Sequence, residues 1–179
     1  IALLLGCSCA VRADEALRRL VSMNLCTDQM AMLIAAPGQL HSVSYLARDP
    51  EGSVMAQEAP RFAVNHGLAE EIFMMRPDLV VAGTFTSRAS VAMLRRLGFR
   101  VEEFPPAYTF DEIRAQMRRM GALLGRAERA EDLVRELDNR LDATRVAVDG
   151  LRPLAALHYV NSYTAGAGTL ASIVVERAG

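Results

Sequence analysis

Apolar and polar positions alternate along this chain with two different periods, and the change from one to the other marks out its elements. Arg19-Leu20-Val21-Ser22-Met23 has a short strand pattern, and Thr27 then stands as the N-cap of a helix over Asp28 to Ala36 that Pro37-Gly38 closes. Leu40 to Ser44 reads as a second strand. From Tyr45 to Asn65 the period fails, and Pro50, Gly52 and Pro60 predict a long surface connection with one helical turn at Ser53 to Glu58. Leu68 to Arg76 suits a short helix with Glu70 and Glu71 in its first turn, stopped by Pro77 before the apolar strand Asp78 to Gly83. Ser87 caps a helix through Leu97, Gly98 ends it, and Arg100 to Phe104 completes a βαβ unit.

Beyond Pro105-Pro106, Phe110 to Leu124 and Glu128 to Val148 predict two helices parted by Gly125. In the second, Ala130, Leu133, Leu137, Leu141, Thr144 and Val148 recur at steps of three or four, so one face stays apolar over 21 residues, about 31 Å of helix. A strand from Leu154 to Val160, a loop from Asn161 to Gly168 and a helix from Thr169 to Ala178 follow. The order predicts an α/β fold: an N-terminal Rossmann-like lobe with a parallel sheet over residues 14–126, a connecting helix over 127–149, and the start of a second α/β lobe over 150–179.

Residues 1–13 read as the remnant of a secretory signal, since Ile1 to Val11 is apolar or small before the first charge at Arg12 and is too short to span about 30 Å of hydrocarbon. Val11-Arg12-Ala13 places small side chains for cleavage before Asp14. Leu4-Leu5-Gly6-Cys7 offers a second processing route, in which Cys7 becomes a lipidated N-terminus that holds the protein on a membrane. The sequence also reads as cut at its far end, because Gly179 follows directly on a helix pattern.

Composition narrows the chemistry. The 179 residues carry 20 basic and 21 acidic side chains, a net charge of −1 that gives no bulk attraction for nucleic acid. Every basic residue is arginine, which removes Schiff-base and phosphate-loop lysines. Three cysteines, Cys7, Cys9 and Cys26, cannot all pair, and cleavage before Asp14 leaves Cys26 alone.

Individual motifs carry two readings each. Gly166-Ala-Gly168-Thr-Leu-Ala171 matches a loose dinucleotide fingerprint, yet five residues separate it from the strand; it is either a nucleotide loop of an α/β enzyme or a plain glycine-rich helix start. His41, His66 and His158 show no ligand spacing for a protein-bound metal, and His66, between Asn65 and Gly67, is the one placed to face a ligand. Cys26 ahead of a helix reads either as an activated thiol or as a small buried side chain. Thr84-Phe85-Thr86-Ser87-Arg88 lies at a strand's carboxyl end, where open α/β sheets place ligands.

Four features together resemble the helical-backbone solute-binding proteins of ABC importers for cobalamin, haem and ferric siderophores: the export signal, Arg19 to Asp28, the run from Ala69-Glu70-Glu71-Ile72 to Arg76-Pro77-Asp78-Leu79-Val80, and the long connector. Tyr163-Thr-Ala-Gly-Ala-Gly-Thr-Leu is similar to the family's second-lobe loop. The resemblance implies a ligand held between two lobes, with the long helix restricting their closure. It places Tyr45, Asn65, His66, Thr84, Phe85, Thr86 and Tyr163 at the ligand, and Glu70 on arginines of the inner-membrane permease. Cobalamin-binding relatives use tryptophan in such loops and this chain has none, which shifts the weight toward a ferric siderophore. The expected protein is an exported periplasmic monomer that captures a metal chelate for an ABC permease, with no chemistry on the ligand and no cofactor of its own.

Overall fold

A computed structural model of the chain describes residues 17–152, 159–160, 163–164 and 166–178. Five strands, β1 (Leu20–Ser22), β2 (Leu40–Ser44), β3 (Ala63–Asn65), β4 (Leu79–Gly83) and β5 (Val101–Phe104), form one sheet in the order β3-β2-β1-β4-β5. All four pairings are parallel. The chain runs outward from β1 to β3 and then returns to lay β4 on the other side of β1. Strand order therefore reverses between β1 and β4, and a crevice opens beyond their carboxyl ends.

Helices cover both faces, as a parallel sheet requires. Strand side chains alternate between the faces: Leu79 and Val81 enter the core beneath α1 (Leu25–Ile34) and α4 (Phe110–Leu123), while Val80 and Ala82 enter the core beneath α2 (Ala69–Met75) and α3 (Arg88–Arg96). All of β4 is buried, which explains its continuous apolar run. The Arg-Pro-Asp-Leu-Val segment also has a structural cause. Arg76 ends α2 in the left-handed region at φ 49°, Pro77 blocks further helix, and the Asp78 carboxylate accepts the N–H groups of Arg18 and Arg19 at 2.9 and 2.8 Å, which aligns β1 beside β4.

The long helix α5 (Ala127–Val148) is continuous over 22 residues, and only its first half is packed. Ala130, Leu133 and Val134 are buried there, and Gly121 of α4 lets the helices close: a Cβ on it would lie 2.5 Å from the Ala130 Cβ. Arg114–Asp138 and Arg118–Glu131 pairs, both 2.6 Å, fasten the same contact. Past Leu141 the predicted apolar face is not enclosed, with Thr144 exposed and Val148 only half-buried. Next come a short antiparallel hairpin, β6 (Tyr159–Val160) and β7 (Tyr163–Thr164), and α6 (Leu170–Arg177).

Three local expectations change. The N-cap of α1 is Asn24, whose Oδ1 accepts the Cys26 N–H at 3.0 Å, so the helix starts at Leu25; the Thr27 hydroxyl instead donates inward to the Asn24 carbonyl at 2.9 Å. The connection after Tyr45 holds a 3₁₀ turn at Tyr45–Arg48, another at Ala59–Arg61 and the strand β3, while 54–58 forms turns and no helix. The segment 161–168 contains β7, so the expected uninterrupted loop is a hairpin arm followed by a turn. Most of the strand expected from Leu154, and His158 with it, lies outside the described residues.

Candidate functional site

Each parallel strand delivers its chain to the same edge of the sheet, so residues following the strands gather there whatever their separation in sequence. Asn24 follows β1, Tyr45 follows β2, His66 follows β3, Thr84 to Thr86 follow β4 and Pro105-Pro106 follow β5. At the crevice Gly83 makes room: a Cβ on it would lie 2.9 Å from the Asn24 side chain. Asn24, Cys26, Gly83, Phe85, Pro105 and Gln116 are among the residues around a hollow of about 80 Å³ at this point.

Tyr45 and His66 meet across the edge, their rings stacked at 5.6 Å between centroids and 21° between planes. Both face solvent, Tyr45 at 53% exposure and the His66 side chain at 60%. Glu71, in the first turn of α2, holds the imidazole from below. One carboxylate oxygen accepts the His66 backbone N–H at 2.7 Å, and the other lies 3.0 Å from Nδ1. The backbone N–H of His66 is the leading cause that draws the Glu71 carboxyl below the ordinary glutamate range, with the imidazole reinforcing it. A carboxylate facing Nδ1 favours the tautomer with its proton on that nitrogen, leaving Nε2 as an acceptor with no hydrogen-bond partner among the described residues.

The other expected residues divide. Phe85 is 85% exposed at the tip of a turn that Thr86 closes, its backbone N–H donating to the Gly83 carbonyl and its Oγ1 accepting the Gly83 N–H. Thr84 is exposed beside it. Asn65 is fully buried, its Nδ2 donating to the Ser22 carbonyl at 2.8 Å and to Ser42 Oγ at 2.9 Å. Its side chain is enclosed by the sheet, so it meets no ligand directly. Tyr163 lies on β7 opposite Val160, and its side chain is outside the described residues.

Glu70 is exposed on α2 and lines an otherwise apolar groove of about 300 Å³ with Ala69, Phe73, Met74, Met93 and Leu97. Cys26 is exposed at the start of α1, but its thiol is pushed up by desolvation and then by the Asp28 charge, against the lowering expected of a helix N-terminus. No three acidic, histidine or cysteine side chains converge as a metal site among the described residues. Nor is any helix among them long and apolar enough to cross a membrane. At the glycine loop, Gly168 takes φ +77° and Thr169 caps α6, its hydroxyl donating to the Gly166 carbonyl at 2.8 Å. The preceding element is a hairpin rather than a strand leading tightly into a helix, so the loop has the geometry of a helix start and lacks that of a pyrophosphate turn. Sequence reasoning missed Asn24 as a wall of the crevice and Glu71 as the imidazole clamp; the spacing of five between His66 and Glu71 was the one available sign.

Residues 20–179 match the periplasmic binding protein family. The chain belongs to that family. Among curated proteins it is 26% identical over 178 residues to a cobalamin-binding protein of Halobacterium salinarum, covering 95% of this chain and 47% of the relative. The chain thus spans about half the length of the curated relatives it matches. Among solved structures, the haem-binding protein RhuT of Roseiflexus sp. RS-1 superposes with a TM-score of 0.72 at 21% identity, over 90% of this chain and 64% of that one. The vitamin B12-binding protein BtuF of Vibrio cholerae gives 0.69 at 22% identity, over 92% and 65%. At these identities the structural likeness establishes the fold.

Proposed function

We propose that this is the first lobe, the connector and the start of the second lobe of an exported periplasmic protein that captures a tetrapyrrole-type metal chelate, a corrinoid or haem, and delivers it to an ABC permease. The stacked Tyr45–His66 pair carries the reading. Two rings held nearly parallel at the open edge of the sheet offer a flat, partly apolar face to a planar macrocycle, with the free Nε2 of His66 available to a polar group or to the chelated metal. Phe85, across the crevice, supplies a further aromatic contact, and Tyr163 joins the same ligand set by its place in the second-lobe loop. The cobalamin-binding relatives support this ligand class, whereas the missing tryptophans favour a ferric siderophore.

Docking on the permease falls to Glu70. It is the sole charged residue lining the apolar groove between α2 and α3, so an arginine brought against it would meet a carboxylate in a partly dry setting. The test is calorimetric titration of the full-length protein with cyanocobalamin, hemin, a ferric hydroxamate and a ferric catecholate. Binding of either tetrapyrrole, weakened about tenfold or more by Tyr45→Ala or His66→Ala, is the expected result. Binding of a ferric siderophore alone overturns the ligand class. Glu70→Ala leaves ligand affinity unchanged and lowers permease coupling; the reverse pattern overturns the docking role.

A further inference from the structure

Six of the eight buried polar side chains in the described residues lie together under one part of the sheet edge: Ser22, Thr27, Asp28, Ser42, Ser44 and Asn65, none more than 3% exposed. A domain core built only for stability has no need of this, since burying polar groups is costly unless each finds partners. Here each one does, and no buried side-chain polar atom among the described residues is left unpaired. Asp28 reaches from the first turn of α1 to the end of β2, where Oδ1 accepts the Ser44 N–H at 3.2 Å and Oδ2 accepts the Ser44 hydroxyl at 2.5 Å. Ser22 and Thr27 share a 2.8 Å hydrogen bond beside it. Asn65 ties the end of β1 and the middle of β2 to β3 through its amide, and its Oδ1 accepts the Gly67 N–H at 3.1 Å. That last bond closes an Asx turn with His66 at its centre, and Gly67 then redirects the chain at a φ of +73°, which glycine adopts without strain.

The two anchored backbone positions are Ser44 and Gly67, immediate neighbours of Tyr45 and His66. We propose that Asp28 and Asn65 are positioning residues for the ligand: through Ser44 and Gly67 they hold Tyr45 and His66 stacked before any ligand arrives, so that ordering the two rings adds little cost to binding. This rests on the reading of the ring pair as a ligand wall. Asp28 anchors one ring-bearing segment and Asn65 the other, on neighbouring strands whose register sets Ser44 opposite Asn65.

The stack has its own signature, which needs no ligand. In full-length protein with ¹³C-labelled histidine, the His66 ring resonances, assigned by loss in His66→Gln, carry a ring-current shift that Tyr45→Leu removes. Asp28→Ala and Asn65→Ala are expected to remove most of that shift and to lower affinity for cyanocobalamin or hemin by about tenfold or more, measured well below the unfolding midpoint. Asp28→Asn keeps an acceptor for the Ser44 N–H and is expected to restore both. An unchanged shift in both alanine variants overturns the proposal, as does a lost shift with unchanged affinity. Should Asp28→Ala fail to fold, Asp28→Ser, whose hydroxyl is too short to reach the Ser44 N–H, takes its place, and an unchanged shift there is equally fatal. If neither tetrapyrrole binds the parent protein while the shifts respond as described, the ligand class fails and the anchoring of the rings stands.

Discussion

The two faces of the sheet draw on the same strands and are finished differently. On the α1 and α4 side, α5 adds a further layer, Gly121 and Ala130 close the helices together, and Arg114 and Arg118 pair with acids across the contact. On the other side the seven-residue α2 and nine-residue α3 lie side by side with no helix over them among the described residues, and Phe73, Met74, Met93 and Leu97 remain between 45% and 76% exposed. A contiguous apolar surface of that kind, with one carboxylate in it, is uncommon on a protein that works alone. One face is closed by a further helix, and the other keeps an open apolar groove among the described residues.

Mutations should separate the two. Both inner cores are fully packed, so Met120→Ala beneath α4 and Leu94→Ala beneath α3 are each expected to cost about 2–5 kcal/mol in urea unfolding of the full-length protein; a negligible cost for Leu94→Ala would show that the α2–α3 side lacks a real core. Gly121→Val drives a side chain into Ala130, for an expected loss of about 1–3 kcal/mol, and no counterpart exists between α2 and α3. Thr109 caps α4 in a reciprocal arrangement with Glu112, so Thr109→Ala should cost about 1 kcal/mol.

Acid should also act at the ligand edge. The Glu71 carboxyl is depressed in the folded protein, so its contribution is complete above the ordinary glutamate range and is lost as the pH falls through its folded value. A pH titration followed by the His66 ring resonances should show the imidazole released over that interval in the parent and already free in Glu71→Gln. Last, Met74→Ser on the exposed groove should change stability by less than about 0.5 kcal/mol while weakening permease coupling; intact coupling would remove the groove from the docking surface.

Much of this was legible in the chain. The unbroken apolar run of β4 and the proline–glycine stops predict the alternating order of the lobe, and the sheet confirms its α/β class. What escaped is short or depends on side-chain direction. β3 has three residues and follows a 3₁₀ turn containing Pro60, too little sequence for a period to register. Thr27 and Asn24 are both competent caps, and the choice between them follows from the hydrogen bond Thr27 shares with Ser22, a residue of another element. Asn65 and His66 are adjacent, yet the pleat buries one and exposes the other, and only the register of β3 on β2 decides which. Glu71 is indistinguishable from a solvated first-turn acid until the chain reversal at Gly67 brings His66 back over it.

Cys26 has a practical consequence. It is the only cysteine between residues 17 and 152, and it stands at the mouth of the crevice. A maleimide dye placed there would give an optical readout of changes at that crevice. Because burial pushes its thiol up, conjugation would proceed best in mildly alkaline buffer.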